Sequence, residues 1–520
     1  MTRYLLLGIA LSGALGLGCS GGDTGAGSSG STTPPPTLDR LIEEGDIVWL
    51  DDPTLYVLNK TNGLSVIGLG NPSAPLLIGR VGLQGTPVEL YLHKGYILAL
   101  NSNVYNSSTN SASRLTIIDV RRPEAPALVS YIGLSGQTTN SRLVGDVLYT
   151  ASDSGGVIES VNVADPRSSQ LVDRLSLPLG STGSHVLATE NTIYVATESY
   201  NTSSAMGECA ESYRDNEGCT TILAVDISSP SGALRLGASY AMAGLLKDRW
   251  GLDAYDGVLR VLVGRGSWWT STGAMIAELR TFRSGSAAEL DPMASVSLAG
   301  ARPEKVMAVR FDGPRAYLVT FRQADPLFTI DISDPANPRI AGYLQSPGWL
   351  DFIIPGGDRL LGIGRDQDTQ TGTWRLQASL YDVSTLGSPR LMKRIPFGDG
   401  YSALPDQSDN LAKVVRVVDE LGLLLVPYNG TSVGYSQDTT GGHLEVISFA
   451  NDTLATYGQI ASSDAIVRAV PLPPNHVAAV TEPAVGIIQL TPELTVTGVV
   501  DLNGPVSGTP GPSADGGTRD

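Results

Sequence analysis

Residues suited to chemistry are few in this chain and lie far apart. Its four histidines, His93, His185, His443 and His476, form no i,i+4 pair, so no linear metal or acid–base motif is spelled out. His93 and His185 lie near strands that open their structural units. An imidazole there can face a channel and act as a general base, although a hydrogen-bonded structural role is the plainer reading. There is no Gly-x-Ser-x-Gly elbow, no phosphate-cradling loop and no dinucleotide fingerprint. No catalytic residue is therefore assigned. Cys209 and Cys219 stand ten residues apart in a polar segment without further Cys or His beside them. In an oxidising compartment they are expected to close a surface loop as a disulfide rather than bind metal.

Ligand-binding candidates come from polar stretches that carry aromatics. In Gly266-Ser-Trp-Trp-Thr-Ser-Thr-Gly273, the adjacent Trp268 and Trp269 point in opposite directions on any strand. One can pack into the body while the other stacks on a sugar ring or an aromatic ligand. Tyr105, Tyr200, Tyr428 and Tyr435 lie in comparable stretches and can extend such a platform. Asp366 and Asp368 alternate ahead of Gly372, a weak echo of a calcium loop that lacks the terminal Glu. Beyond that calcium candidate no cofactor is expected.

The elements that must position these residues follow one template. In Leu327-Phe-Thr-Ile-Asp-Ile-Ser-Asp-Pro-Ala-Asn-Pro338, apolar and polar residues alternate with a period of two. A turn of Asp, Asn and Pro follows, and Arg339–Leu344 then forms a return strand. The hairpin recurs around Gly68-Leu-Gly-Asn-Pro72, Asp119, Asn162, Asp226 and Asp382, each time preceded by two more apolar strands. The turn acids Asp119, Asp226, Asp331 and Asp382 keep a fixed place, which marks them as hydrogen-bonding turn residues rather than a metal ring. Nine such units are counted between Ile47 and Leu502. The first and ninth are the weakest, so eight is the runner-up. Four strands per unit, repeated without a linker, predict an all-β fold: a single β-propeller of four-stranded blades. Long insertions fall between second and third strands at Asn101–Arg114, Ser199–Thr220, Gly264–Ala274, Arg365–Arg375 and Tyr428–His443. Antiparallel alternation places all five on one rim, where binding loops on rigid scaffolds concentrate.

The chain has 520 residues, of which 17% are charged, and a net charge of −17. That charge speaks against nucleic acid or an anionic membrane surface as partner, and no Lys/Arg cluster is visible along the sequence. At the amino terminus, Arg3 precedes the apolar run Tyr4–Leu17, which is too short for a comfortable membrane span and suits a signal peptide. Leu15-Gly16-Leu17-Gly18-Cys19 resembles a bacterial lipoprotein box, with Gly16 at the place where Leu is usual. The expected organisation is a signal peptide at 1–18, lipidation on Cys19 and a Gly/Ser/Pro tether over 19–40. The propeller then occupies 41–503, and a disordered tail 504–520. Ser20 after the cysteine points to the outer membrane, with secretion as the other outcome.

Residues 304–397 resemble a bacterial and archaeal family of secreted β-propellers. The likeness rests on Ala316-Tyr-Leu-Val-Thr-Phe-Arg-Gln-Ala-Asp-Pro-Leu-Phe-Thr-Ile-Asp-Ile-Ser-Asp-Pro335. It continues through Leu361-Gly-Ile-Gly-Arg-Asp-Gln-Asp368 and Ser379-Leu-Tyr-Asp-Val-Ser384. Over Asp399–Lys413 the chain departs from the family's usual sequence. The resemblance implies a propeller in or outside the cell envelope and brings no catalytic residues. Two functions are expected from these features. The first is a lipid-anchored binding or scaffolding module that engages an envelope protein, peptide or glycan through the long-loop rim and touches the membrane only by its anchor. The alternative is an envelope hydrolase or lyase with a channel-facing site.

Overall fold

The computed structural model describes residues 41–507, apart from 107–108, 153–155, 178–181, 200–208, 210–217, 267–275, 299–304, 322–324, 347, 369, 401, 407–408 and 432–439. Nine antiparallel sheets follow one another along the chain, each built from four consecutive strands. They are the nine blades of one propeller. Their innermost strands are Val48–Asp51, Thr86–His93, Thr138–Val144, Thr182–Ala188, Leu252–Tyr255, Lys305–Asp312, Trp349–Gly356, Arg416–Val418 and Arg468–Leu472. The count of nine stands, and both doubtful end units are complete blades.

The core is distributed as the ring requires. Nine clusters of buried apolar side chains are found among the described residues, and each is shared by one pair of neighbouring blades. Val48, Leu55 and Val57 of blade 1 pack against Ala478, Val480 and Val485 of blade 9, which closes the circle. A blade is thus covered on both faces, and Thr329, on the polar side of the sequence alternation, is as buried as its neighbour Ile330. Thr329 uses that burial: its Oγ1 donates to the Leu386 carbonyl in the outer turn of blade 7, at 2.5 Å. Thr281 makes the same contact with Pro335 at 2.7 Å, and Ser160 with Gly232 at 2.5 Å.

All nine blades bulge between the third and fourth strands, at positions such as Thr329/Ile330 and Leu380/Tyr381. A bulge strengthens local twist and turns the outer edge away from edge-to-edge pairing. At the bulge of blade 6, Gly342 lies under the next blade's turn. A Cβ there would come within 2.4 Å of the Leu386 oxygen, so only glycine lets the turn dock. The Asp–Pro hairpin is therefore a docking device between blades as well as a turn.

The turn acids behave as the sequence predicts. Asp331 accepts from the Ser333 backbone N–H at 3.0 Å and its hydroxyl at 2.6 Å, and pairs with Arg339. Asp382 repeats this with Ser384 and Arg390, Asp226 with the Ser228 N–H, and Asp119 with Arg121.

Two segments outside the blades enter the channel. Residues Ile42–Glu43 add a fifth strand to the inner edge of blade 3, pairing with Val144 and Leu143. Asp46 then bridges to Leu90 of blade 2 before blade 1 begins. From the other side, the connection between blades 7 and 8 forms a one-turn helix, Leu411–Val414, whose Leu411 and Val414 are buried.

Candidate functional site

The sequence-level insertions take a definite form where they are described. Strands Tyr96–Asn106 and Thr109–Asp119 continue through the first insertion, so Asn101–Arg114 is a projecting two-stranded ribbon rather than a loop. Arg365–Arg375 is likewise a hairpin, with Gln367 paired to Trp374. Tyr428 pairs with His443 across the next one. Tyr428 is 2% exposed, stacked on the His443 ring at 4.9 Å and packed edge-on against Phe397, so it offers no exposed face. Tyr105 lies in the first ribbon. Trp268, Trp269, Tyr200 and Tyr435 lie outside the described residues, as does Cys19.

An aromatic pair that sequence reading missed stands at the same rim of blade 7. Trp349 and Trp374, both half-buried, have ring centroids 4.5 Å apart, and the Trp349 indole N–H donates to Asp351 at 3.0 Å. Each opens a strand beside the rim, a position readable from the sequence once the register is known. Asp366 and Asp368 are held locally. Asp366 pairs with Arg394 at 3.1 Å, and Asp368 accepts the backbone N–H groups of Gln370 and Thr371. Among the described residues no group of three or more His, Cys, Asp or Glu is arranged to hold a metal. Cys209 and Cys219 are joined as a disulfide.

The histidines do not converge. His93 contacts Asp146 at 3.0 Å at the first turns of blades 2 and 3, and Asp146 also holds Lys94. Burial lowers the His93 pKa, and Asp146 only partly offsets this. His185 faces the channel, with Nδ1 3.5 Å from Asp409. Burial works against its charged form, but Asp409 prevails and raises its pKa. His443 lies in blade 8 and His476 opens the second strand of blade 9.

The densest chemistry lies in the channel, where no cluster was legible along the chain. Asp46 accepts from Arg468 Nε at 2.7 Å and Arg416 Nη2 at 3.2 Å. Glu44 receives Arg249 at 2.5 Å, Lys413 at 3.4 Å and Arg142 at 3.8 Å. Lys413 reaches on to Glu89 at 2.8 Å, and Glu89 also accepts from Ser141. Asp409 caps the Arg249 N–H at 3.0 Å. Burial alone would raise the Glu44 pKa, yet Arg142, Arg249 and Lys413 outweigh it and hold the carboxyl down at about 2. Blades 2, 3, 5, 8 and 9 are thereby tied to the two inserted segments. The signal in the sequence was a charge inside an apolar inner strand, as in Val309-Arg-Phe311 or Val467-Arg-Ala-Val470. Only a strand bordering a polar interior accommodates that.

Two archaeal relatives share part of this chain. An uncharacterized protein of Methanocaldococcus jannaschii is 34% identical over 153 residues, covering 29% of this chain and 22% of the relative. One of Archaeoglobus fulgidus is 32% identical over 155 residues, covering 30% and 22%. The match thus spans only about a fifth of either relative's length. Among solved structures, yeast (Saccharomyces cerevisiae) Sqt1 aligns with a TM-score of 0.44 at 7% identity, over 75% of this chain and 92% of its own. A hypothetical selenium-binding protein from Sulfolobus tokodaii aligns with a TM-score of 0.32 at 10% identity, over 68% and 88%. Neither likeness is close enough to bear on function. A family model described as "Beta propeller domain" matches residues 39–175 and 156–470, most of the nine-bladed body. The chain belongs to that beta propeller domain family.

Proposed function

We propose that this protein is a lipid-anchored binding or scaffolding module of the cell envelope that engages a protein, peptide or glycan through its ribboned rim. The observation that carries this reading is polarity. Leu41 accepts a hydrogen bond from Gly145 in the first turn of blade 3, and Ser507 donates to Leu77 beside the outer turn of blade 1. Antiparallel alternation puts both turns on the face opposite the ribbons. A tether leaving Leu41 toward Cys19 would therefore hold the short-turn face to the membrane and leave the ribboned rim free. The channel is crossed by ion-paired segments, which favours recognition at the rim over chemistry inside.

Two measurements test the proposal. Cys19→Ser is expected to abolish incorporation of labelled palmitate and release the chain from membranes. Replacing the tips of the five insertions by short turns, with the Cys209–Cys219 disulfide and the buried Tyr428–His443 pair kept, is expected to leave the unfolding midpoint near wild type while removing binding on glycan and peptide arrays. A ligand retained after all five replacements would overturn the rim assignment.

A further inference from the structure

Three arginines occupy inner strands three blades apart: Arg142 in blade 3, Arg310 in blade 6 and Arg468 in blade 9. All three are buried, and each donates Nη1 to the carbonyl of the residue before it, at 2.6, 2.7 and 2.8 Å. That shared bond fixes the guanidinium plane and leaves Nε and Nη2 for other partners. Arg468 spends the free edge on Asp46, and Arg142 faces Glu44 at 3.8 Å. Both carboxylates come from the amino-terminal segment.

Arg310 keeps the stance without a carboxylate. It is 7% exposed, with the Trp250 ring 3.8 Å and the Phe352 ring 4.5 Å from its Cζ. Its Nη2 is sealed from solvent and has no hydrogen-bond partner among the described residues. Asp248 and Asp409 act on it only through space, against the repulsion of Arg249. Burial dominates and pushes its pKa down to about 9. A buried cation of this kind is costly unless an anion completes it. Aromatic rings satisfy the face of a guanidinium, but not the N–H groups in its plane.

We propose that Arg310, flanked by Trp250 and Phe352, is the binding site for a small carboxylate held in the channel. The chemistry of the site sets the ligand class. One guanidinium edge, already oriented by the Val309 carbonyl, matches a planar carboxylate lying in the guanidinium plane. Trp250 and Phe352 cover the guanidinium face and leave only its edge to a small ligand, and a single cation suits a monoanion better than a phosphate. Formate and acetate are the simplest members of that class.

The test uses the full chain and acetate itself. Thermal unfolding is followed in sodium acetate and in sodium chloride at equal ionic strength, and binding is read from the carboxyl resonance of 13C-acetate. Wild type is expected to bind with a Kd of about 1 mM and to unfold at higher temperature in acetate. Arg310→Met is expected to weaken binding at least about tenfold, to lose the acetate shift, and to be no less stable than wild type in chloride. Arg468→Met, which breaks an internally paired cation, is expected to keep the acetate response while losing stability. An unchanged acetate response in Arg310→Met would overturn the site. So would a wild-type 13C resonance that acetate binding leaves unmoved, a measurement that needs no variant to fold.

Discussion

Asp331 and Asp46 put the same carboxylate to use in two regions built on different principles. In its turn, Asp331 accepts from Ser333 and pairs with Arg339, all within eight residues and at the surface. In the channel, Asp46 is buried and joins Arg416 and Arg468, which lie 370 and 422 residues away in sequence. The turn repeats from blade to blade, so the loss of one copy leaves the others intact. The channel network occurs once and links both ends of the ring. Repetition makes the scaffold tolerant, whereas the filled channel couples blades that never touch one another.

Alanine at the two positions should separate these principles most sharply. Asp46→Ala leaves the buried Arg468 and the half-buried Arg416 without their shared acceptor, a loss of about 3–5 kcal/mol. Asp331→Ala removes exposed local hydrogen bonds worth roughly 1 kcal/mol. Chemical denaturation of both variants measures the difference directly. Equal losses would mean that the channel network is as local in its effect as a turn.

That contrast also explains what could be read in advance. Blade strands and Asp–Pro turns are local patterns, alternation closed by a residue that bonds its own backbone, and they are visible in any one copy. The nine-blade count and the fixed role of Asp331 follow from such patterns, and the Cys209–Cys219 pairing from two cysteines ten residues apart with no further Cys or His beside them. The burial of Thr329 did not, because alternation suggests one wet face and only a neighbouring blade covers it. The channel was hidden for a stronger reason. Glu44 and Asp46 look like solvated acids after a tether, and Arg142, Arg310 and Arg468 are isolated in sequence. Their meeting depends on closure of the ring. The segment Asp399–Lys413, which lies between blades 7 and 8, is the piece that supplies Asp409 and Lys413 to that network.

Acid should unpick the channel before the blades. The Glu44 carboxyl is held at about 2 against an ordinary value of 4.5. A group depressed on folding contributes stability that is present above its unfolded value and is lost as pH falls through the folded one. The window for Glu44 therefore runs from about pH 4.5 down to about pH 2. Glu44→Gln is expected to be less stable than wild type at pH 7 and to lose less on acidification across that window. Unfolding midpoints collected from pH 7 to pH 2 give the comparison. Parallel curves for the two proteins would show that the carboxylate is not what holds Arg142, Arg249 and Lys413.

The smallest effect has the opposite sign and lies within a blade. Glu445, 4% exposed and on the same side of its strand as His443, has its pKa pushed up to about 7 by burial, with a hydrogen bond from Gln459 only partly opposing this. Its folded form thus holds a proton between about pH 4.5 and pH 7 that the unfolded chain has released. Stability must then fall as pH rises through that interval, because ionising a desolvated carboxylate is costlier in the folded state. Glu445→Gln keeps the hydrogen-bonding shape and removes the charge. At pH 8 it is expected to raise the unfolding midpoint by about 1–2 °C, while at pH 4 it should match wild type. A variant less stable than wild type at pH 8 would mean that blade 8 stabilises the ionised form. Glu445 would then belong with Glu44 and Asp46, as a charge the fold has paired rather than one it merely tolerates.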